Sequence, residues 1–480
     1  MLTLRARQLS VYVAVFVVTA VLFAASWTTS QVNSQLAAAL IIGLAVGALS
    51  FFMQDIAAVA ILASMVLSPE IKVASLPARE VVIRFDDIVL IVFFTSWLFK
   101  TAYFKNLGLL KVTALNVPII AYIIVGTIST WRGAGAGNIK LVVSLFYLLK
   151  YTEYFMIYFM FSNIIKTEEQ LKRFIYAFLA AAACACLYGY GEIAMGVYRI
   201  SAPFEGSGEP NTYGGYLLLI LGLLGMGALK TPQLKHKMAF GVCALALAPL
   251  IVATYSRATF LGLVLMVPVF FHFAKSRERV LIIVAVVVAI AIAPFVLPKR
   301  AMDRIRAPFS GTTEEVAPLV RLNTTDSSYL KVQSAKAVID QWEEDPILGK
   351  GITGVGLVDA QYPRILGEMG VLGMLAFFWI AGSIFLVIRN TLIYLRRFGE
   401  GEEWLWKAVA AGFACSCVGL AAHGVGANTF VIIRIMEPFW FLTAVVAAIP
   451  AVIEAKWGST EHLVSKKETY DVYHTGYEGY

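Results

Sequence analysis

The chain has 480 residues, 59% of them hydrophobic and only 15% charged, with a mean hydropathy of +0.76. Soluble domains carry about 25% charged residues, so this composition excludes an ordinary water-soluble enzyme and describes an all-α polytopic integral membrane protein. The net charge of +8 sits mostly in loops between apolar runs, where topology and anionic headgroups account for it, and calls for no nucleic-acid partner.

A helix needs about 20 apolar residues to cross the hydrocarbon core, and the runs here are unbroken rather than alternating, as helices and not barrel strands require. In chain order the candidate spans lie near Leu9 to Trp27, Leu36 to Phe52, Ile56 to Leu67, Ile88 to Phe99, Val117 to Trp131, Val142 to Ile164 and Phe174 to Met195. They continue near Tyr213 to Leu229, Ala239 to Ala253, Ala258 to Phe273, Val280 to Val296, Val371 to Ile388, Ala408 to His423 and Phe430 to Val452. This predicts about 12–14 transmembrane helices. The chain divides into an N-terminal transmembrane bundle (1–297), a long extracytoplasmic loop (298–368), C-terminal transmembrane helices (369–452) and a polar tail (453–480).

Short loops rich in Lys and Arg stay cytoplasmic. With the N-terminus inside, the inner segments hold most of the short-loop positive charge, Arg5, Arg7, Lys235, Lys237, Arg396 and Arg397 among it. Both termini are then cytoplasmic and the 298–368 loop faces the periplasm or exterior. Arg5, Arg7 and the apolar run after them read as an uncleaved first span, with a signal peptide as the alternative. Cys184, Cys186, Cys243, Cys415 and Cys417 all fall in predicted spans, so neither a disulfide framework nor a metal site is indicated.

Within the loop, Tyr329, Val332, Ala335, Ile339 and Trp342 recur at helical spacing, which predicts an amphipathic helix from Ser327 to Glu344 capped by Asp326 and ended by Pro346. Gly349, Gly351 and Gly354 formally match a dinucleotide fingerprint, but no strand precedes them and no βαβ unit surrounds them. Inside the spans, Lys150 with Glu153 and Arg434 with Glu437 are expected to neutralise each other within one turn. The tail carries Tyr470, Tyr473, Tyr477 and Tyr480, a phosphorylation or partner segment or a disordered end.

Three patches fall on the outer face: Tyr198 to Asn211, Tyr255-Ser256-Arg257, and Asp359 to Gly370. Tyr255-Ser256-Arg257, Glu209-Pro210-Asn211 after an Arg-containing loop, and Gly349-Lys350-Gly351 followed by Tyr362 and Gly367-Glu368-Met369-Gly370 resemble the O-antigen ligase and polymerase (Wzy-type) superfamily. The resemblance is strongest from about Arg199 to Phe378. It implies an inverting, metal-independent glycosyltransferase of the bacterial inner membrane that needs no cofactor, takes an undecaprenyl-diphosphate-linked glycan as donor and has other polysaccharide-export proteins as partners for its cytoplasmic tail.

A diphosphate leaving group calls for fixed positive charge, and guanidinium supplies bidentate donors. Arg257 and Arg199, then Arg364, are the candidates, with Asn211, Ser256, Tyr362 and Arg434 as further substrate contacts. An acceptor hydroxyl needs a base. Where ligases of the superfamily have a His, this chain has Asp359, which favours a polymerase of repeat units over a ligase. Glu368 and His423 are the other bases considered. Each has a plainer reading: Arg257 as a snorkelling anchor, Glu368 as the cap of a helix starting near Met369, Asn211 as an N-cap, His423 as a satisfied interfacial histidine. A flippase or other transporter, or a scaffold of an envelope complex, are the rival classes, although no internal repeat is evident.

Overall fold

The computed structural model describes residues 53–474 apart from 77–78, 104–110, 206–207, 297, 318–319, 357 and 400, together with Ile41 and Gly47. The expected spans at Leu9 to Trp27 and Leu36 to Phe52, and the tyrosine side chains of the tail, lie outside the described residues.

The described chain opens with α1 (Gln54–Leu67), an antiparallel hairpin of β1 (Glu70–Leu76) and β2 (Arg79–Arg84), and α2 (Phe85–Tyr103). Then come α3 (Asn116–Gly135), α4 (Leu141–Ile164), α5 (Glu168–Ala194), α6 (Pro210–Lys230), α7 (Leu234–Ala253), α8 (Arg257–Phe273) and α9 (Ser276–Val296). The polar loop follows as α10 (Lys299–Arg306), a second hairpin of β3 (Thr313–Ala317) and β4 (Val320–Asn323), and α11 (Ser327–Trp342). The chain closes with α12 (Gln361–Leu395), α13 (Trp404–His423) and α14 (Ile433–His474).

Every expected span from Ile56 to Val452 falls on a helix. Among the described residues, seven helices combine the length and hydropathy needed to cross a membrane: α3, α5, α6, α7, α12, α13 and the Ile433–Trp457 part of α14. The protein is an all-α polytopic membrane protein. The two hairpins were not expected; both lie in polar connections, where strand pairing satisfies backbone groups that no helix takes up.

Helices α6 and α13 pack backbone to backbone. A Cβ on Gly222 would stand 2.6 Å from Gly412 O, and Ser416 Oγ donates to Leu219 O at 2.9 Å across the same seam. Small residues allow this approach where lipid supplies no hydrophobic drive between helices. Helix α14 is the most deeply buried of the seven, and its Trp440 packs on Phe155 and Tyr158 of α4.

Two expectations about helix starts are corrected. Helix α12 begins at Gln361, not near Met369, and breaks at Gly370 (φ 64°, ψ −163°). Only glycine fits there, because a Cβ would lie 2.3 Å from Ile347 O. Glu368 is therefore inside the first helical piece rather than its cap. In α6 the N-cap is Glu209, with Pro210 and Asn211 already in the first turn.

The ion pairing is also corrected. Lys150 does pair with Glu153, at 3.3 Å, and also with Asp87. Arg434, however, turns away from Glu437 to Glu70 (3.4 Å) and to the carbonyls of Val66, Pro203 and Ser68, while Glu437 lies 3.8 Å from Arg84. Three backbone acceptors offer the guanidinium more than one carboxylate a turn away.

Candidate functional site

A cavity of about 720 Å³ opens where α6 and α14 begin, bounded also by β2, α4, α12 and the loop before α6. Five cations line it: Arg84, Lys150, Arg199, Arg364 and Arg434. Glu70, Glu205, Glu209 and Asp359 line it too.

The cations differ in how firmly they are held. Arg84 pairs with Asp86 and donates to Met65 O at 2.8 Å, Lys150 is held by Asp87 and Glu153, and Arg434 is held as described. Arg364 gives its Nε to Glu368 Oε1 at 3.2 Å and lies over the Tyr151 ring. Arg199 gives its Nε to Thr254 O at 3.1 Å, and among the described residues no carboxylate pairs with it. Burial, with Arg304 and Arg257 close by, lowers the proton affinity of Arg199. An anion entering here would relieve that repulsion.

The carboxylates respond in the opposite sense. Burial, reinforced by Glu209 and Glu70 and opposed by Arg434, pushes Glu205 up to about 7. Burial, together with Asp359 and Glu70, also raises Glu209. Glu205 Oε2 accepts the Glu209 N–H at 3.3 Å, so the two face the cavity from one turn of chain. Asp359 stands at the rim, its side chain 67% exposed and 4.0 Å from Lys331 Nζ.

Helix α11 lies against this rim. Asp326 caps it, accepting the Ser328 N–H at 2.8 Å, as expected. The same carboxylate accepts Arg257 Nη1 at 2.6 Å, and Arg257 Nη2 reaches Ser327 Oγ. Burial works to raise Asp326, but hydrogen bonds from Arg257 and Ser328 outweigh it and hold the carboxyl below its usual range. Lys331 donates to Gly426 O, and Val338 packs against Gly367. Arg257 thus fastens the helix rather than lining the cavity.

Of the ten residues expected at the site, Arg199, Asn211, Asp359, Arg364 and Arg434 line the cavity. Five do not. Besides Arg257, Ser256 caps α8 by accepting the Thr259 N–H and donates to Asn211 Oδ1 at 2.7 Å. Glu368 lies buried behind Arg364, also accepting the Thr353 N–H at 3.0 Å. Tyr362 donates to Ala421 O at 2.7 Å and faces an aromatic recess with Phe377 and Phe430. His423 is fully buried, its Nδ1 2.7 Å from Thr429 Oγ1.

Arg84, Lys150 and Glu70 were not expected in the site, and Glu205 and Glu209, although within the first outer-face patch, were given no role. A signal for Arg84 exists in Arg84-Phe85-Asp86-Asp87, charges crowded at the edge of a span, and for Glu205 and Glu209 in carboxylates flanking a glycine-rich turn beside Arg199.

With this geometry in place, comparison with known families bears on the class. Residues 242–378 match the O-antigen ligase family. The match supports the O-antigen ligase and polymerase superfamily, and with it a ligase- or polymerase-type membrane enzyme acting on a lipid-linked glycan. Among curated proteins none matches the chain. The segment matching the O-antigen ligase family carries α8, the loop with α11, and the first part of α12, hence Arg257, Asp359, Arg364 and Glu368. Arg84, Lys150, Arg199, Glu205 and Arg434 reach the cavity from outside it.

Proposed function

We propose that the protein polymerises undecaprenyl-diphosphate-linked oligosaccharide repeat units into a surface polysaccharide, in the cavity shared by Arg199, Arg364 and Glu205. The observation that carries this reading is the joining of five cations with carboxylates of raised pKa in one recess. In the reaction the bond between the donor's anomeric carbon and the diphosphate oxygen breaks. A bond from the acceptor hydroxyl oxygen to that carbon forms from the opposite face, inverting it, and the hydroxyl proton passes to a carboxylate.

Arg199 and Arg364 receive the diphosphate charge, since each has one nitrogen committed to a neighbour and a planar fork suited to phosphate. Arg84, Lys150 and Arg434, each already paired with a carboxylate, line the rest of the wall. Glu205 is the base, because a carboxylate near pKa 7 is both deprotonated enough and basic enough at neutral pH. Asp359 at the rim positions the incoming acceptor. In this reading the arginines take the leaving-group charge, in the metal-independent mode that the resemblance implies. The cavity faces the outside of the inner membrane and both termini the cytoplasm, in line with the loop charges.

The family description favours a second reading, transfer of the finished glycan to lipid A core. Purified protein in liposomes, given lipid-linked repeat units with and without lipid A core, separates the two. Polymer length growing without lipid A core supports the polymerase; coupling only when lipid A core is present replaces it with the ligase; no coupling of either kind refutes both.

A further inference from the structure

A second group of cations gathers around the start of α11, beyond the cavity lining. Helix α10 carries Arg300 and Arg304, four residues apart and so on one face. Arg300 lies over the Tyr198 ring at 5.3 Å, beside Arg199. Arg304 Nη2 reaches Ser327 Oγ at 3.5 Å, the hydroxyl that Arg257 Nη2 also contacts, and Lys331 follows one turn along α11. Arg257, Arg300, Arg304 and Lys331 do not line the cavity, but Arg199 does, so the two groups meet at that residue.

This group is short of negative charge. Among the described residues Asp326 pairs with Arg257, Asp359 stands 4.0 Å from Lys331, and no carboxylate pairs with Arg199, Arg300 or Arg304. Asp303, on α10 itself, is exposed and joins no ion pair with them. Arg304 Nε is buried and has no hydrogen-bond partner among the described residues, a state that costs more than the same donor left in water. Burial, opposed by Asp359 and reinforced by Arg257, Arg304 and Arg199, also holds Lys331 below the ordinary lysine range. Five cations beside two carboxylates, with one guanidinium donor buried and idle, form a site that gains from an anion.

We propose that this group binds an acidic sugar of the glycan, its carboxylate held by the guanidinium groups of Arg300 and Arg304. The inference rests on the reading that a lipid-linked glycan occupies the cavity. With the diphosphate at Arg199 and Arg364 and the prenyl chain in the membrane, the sugars run outward, beneath α10 and α11. Neutral sugars offer hydroxyl acceptors there but leave the charge uncancelled. A carboxylate cancels it and matches the planar fork of a guanidinium. The repeat unit accepted by this protein therefore carries a uronic-acid carboxylate close to its diphosphate.

The test is calorimetric titration of the full chain in phosphatidylcholine nanodiscs with a glucuronate-containing tetrasaccharide and with its carboxyl-reduced, neutral counterpart. The acidic probe should bind about tenfold more tightly. Arg300→Gln with Arg304→Gln should remove most of that preference, and Arg300→Lys with Arg304→Lys should keep part of it. Arg306→Gln, exposed on another face of α10, should leave it unchanged. Equal binding of the two probes by the wild type would overturn the proposal, as would an unaltered preference in the double Gln variant or an equal loss in Arg306→Gln. One-for-one displacement of the acidic probe by inorganic diphosphate would return the arginines to the leaving group, and loss of the preference on adding phosphatidylglycerol would give them to lipid headgroups; either result also overturns it. Binding is read without coupling, so a protein that selects the acidic probe but joins no repeat units would refute the polymerase and leave this site standing.

Discussion

Replacing Arg257 by Gln should loosen α11 without emptying the cavity of its cations. Arg257 Nη1 meets Asp326 Oδ1 at 2.6 Å, with a second contact to Ser327 Oγ. A hydrogen bond to a charged group contributes about 1.5–3 kcal/mol, and the pair is only partly shielded, Arg257 being 22% exposed and Asp326 6%. We therefore expect roughly 2 kcal/mol for the loss, with about 1 kcal/mol of it as coupling between Arg257→Gln and Asp326→Asn. The remaining fastenings, Lys331 to Gly426 O and Val338 against Gly367, keep the far end in place. Hydrogen exchange of the 327–342 amides in nanodiscs reads this directly: protection should fall by about 30-fold at the N-terminal turns and little beyond Val338. A change under twofold, or strict additivity of the two substitutions, would refute the assignment of Arg257 as the clasp of this helix.

Other consequences follow from the same geometry. Glu205 should make the coupling rate rise with pH through about 7 and level off above it, because the base must be deprotonated, and Glu205→Gln should abolish that step; a pH–rate profile unchanged by the substitution rules Glu205 out. The same raised pKa means that Glu205 favours the fold most below its unfolded value, and the contribution is lost as pH rises through about 7, measurable as a falling unfolding midpoint in wild type but not in Glu205→Gln. Gly370→Ala places a Cβ 2.3 Å from Ile347 O in a backbone region closed to other residues, so it should cost at least about 2 kcal/mol and lower the thermal midpoint by several degrees. His423→Asn, buried behind the cavity lining rather than part of it, should retain coupling within a few-fold of wild type; a hundredfold loss would restore His423 as the base.

The sequence carried the helices because an apolar run in lipid has one way to satisfy its backbone, and it carried α11 because three- and four-residue spacing marks one face. It also brought Arg199, Asn211, Asp359 and Arg364 to one end of the bundle, since span parity alone puts their loops together. What parity does not supply is which way a side chain turns once there. Arg257 found Asp326 and Ser327, 69 and 70 residues on, and Arg434 found carbonyls 231 to 368 residues away. Arg84 enters the cavity through a hairpin between two spans, invisible to hydropathy. The raised pKa of Glu205 comes from burial, with Glu209 and Glu70 close by, a property of packing that composition does not reveal. The break at Gly370 moved the start of α12 by about two turns, and with it Glu368 from a cap to the partner of Arg364.

Arg199 offers the cleanest access to the central claim, because no carboxylate among the described residues depends on it for charge balance. The decisive measurement is the rate at which Arg199→Gln, reconstituted in liposomes, couples lipid-linked repeat units at saturating substrate. If the cavity holds the departing diphosphate, the rate should fall about a hundredfold while the unfolding midpoint stays at the wild-type value. A rate within twofold of wild type would contradict the account.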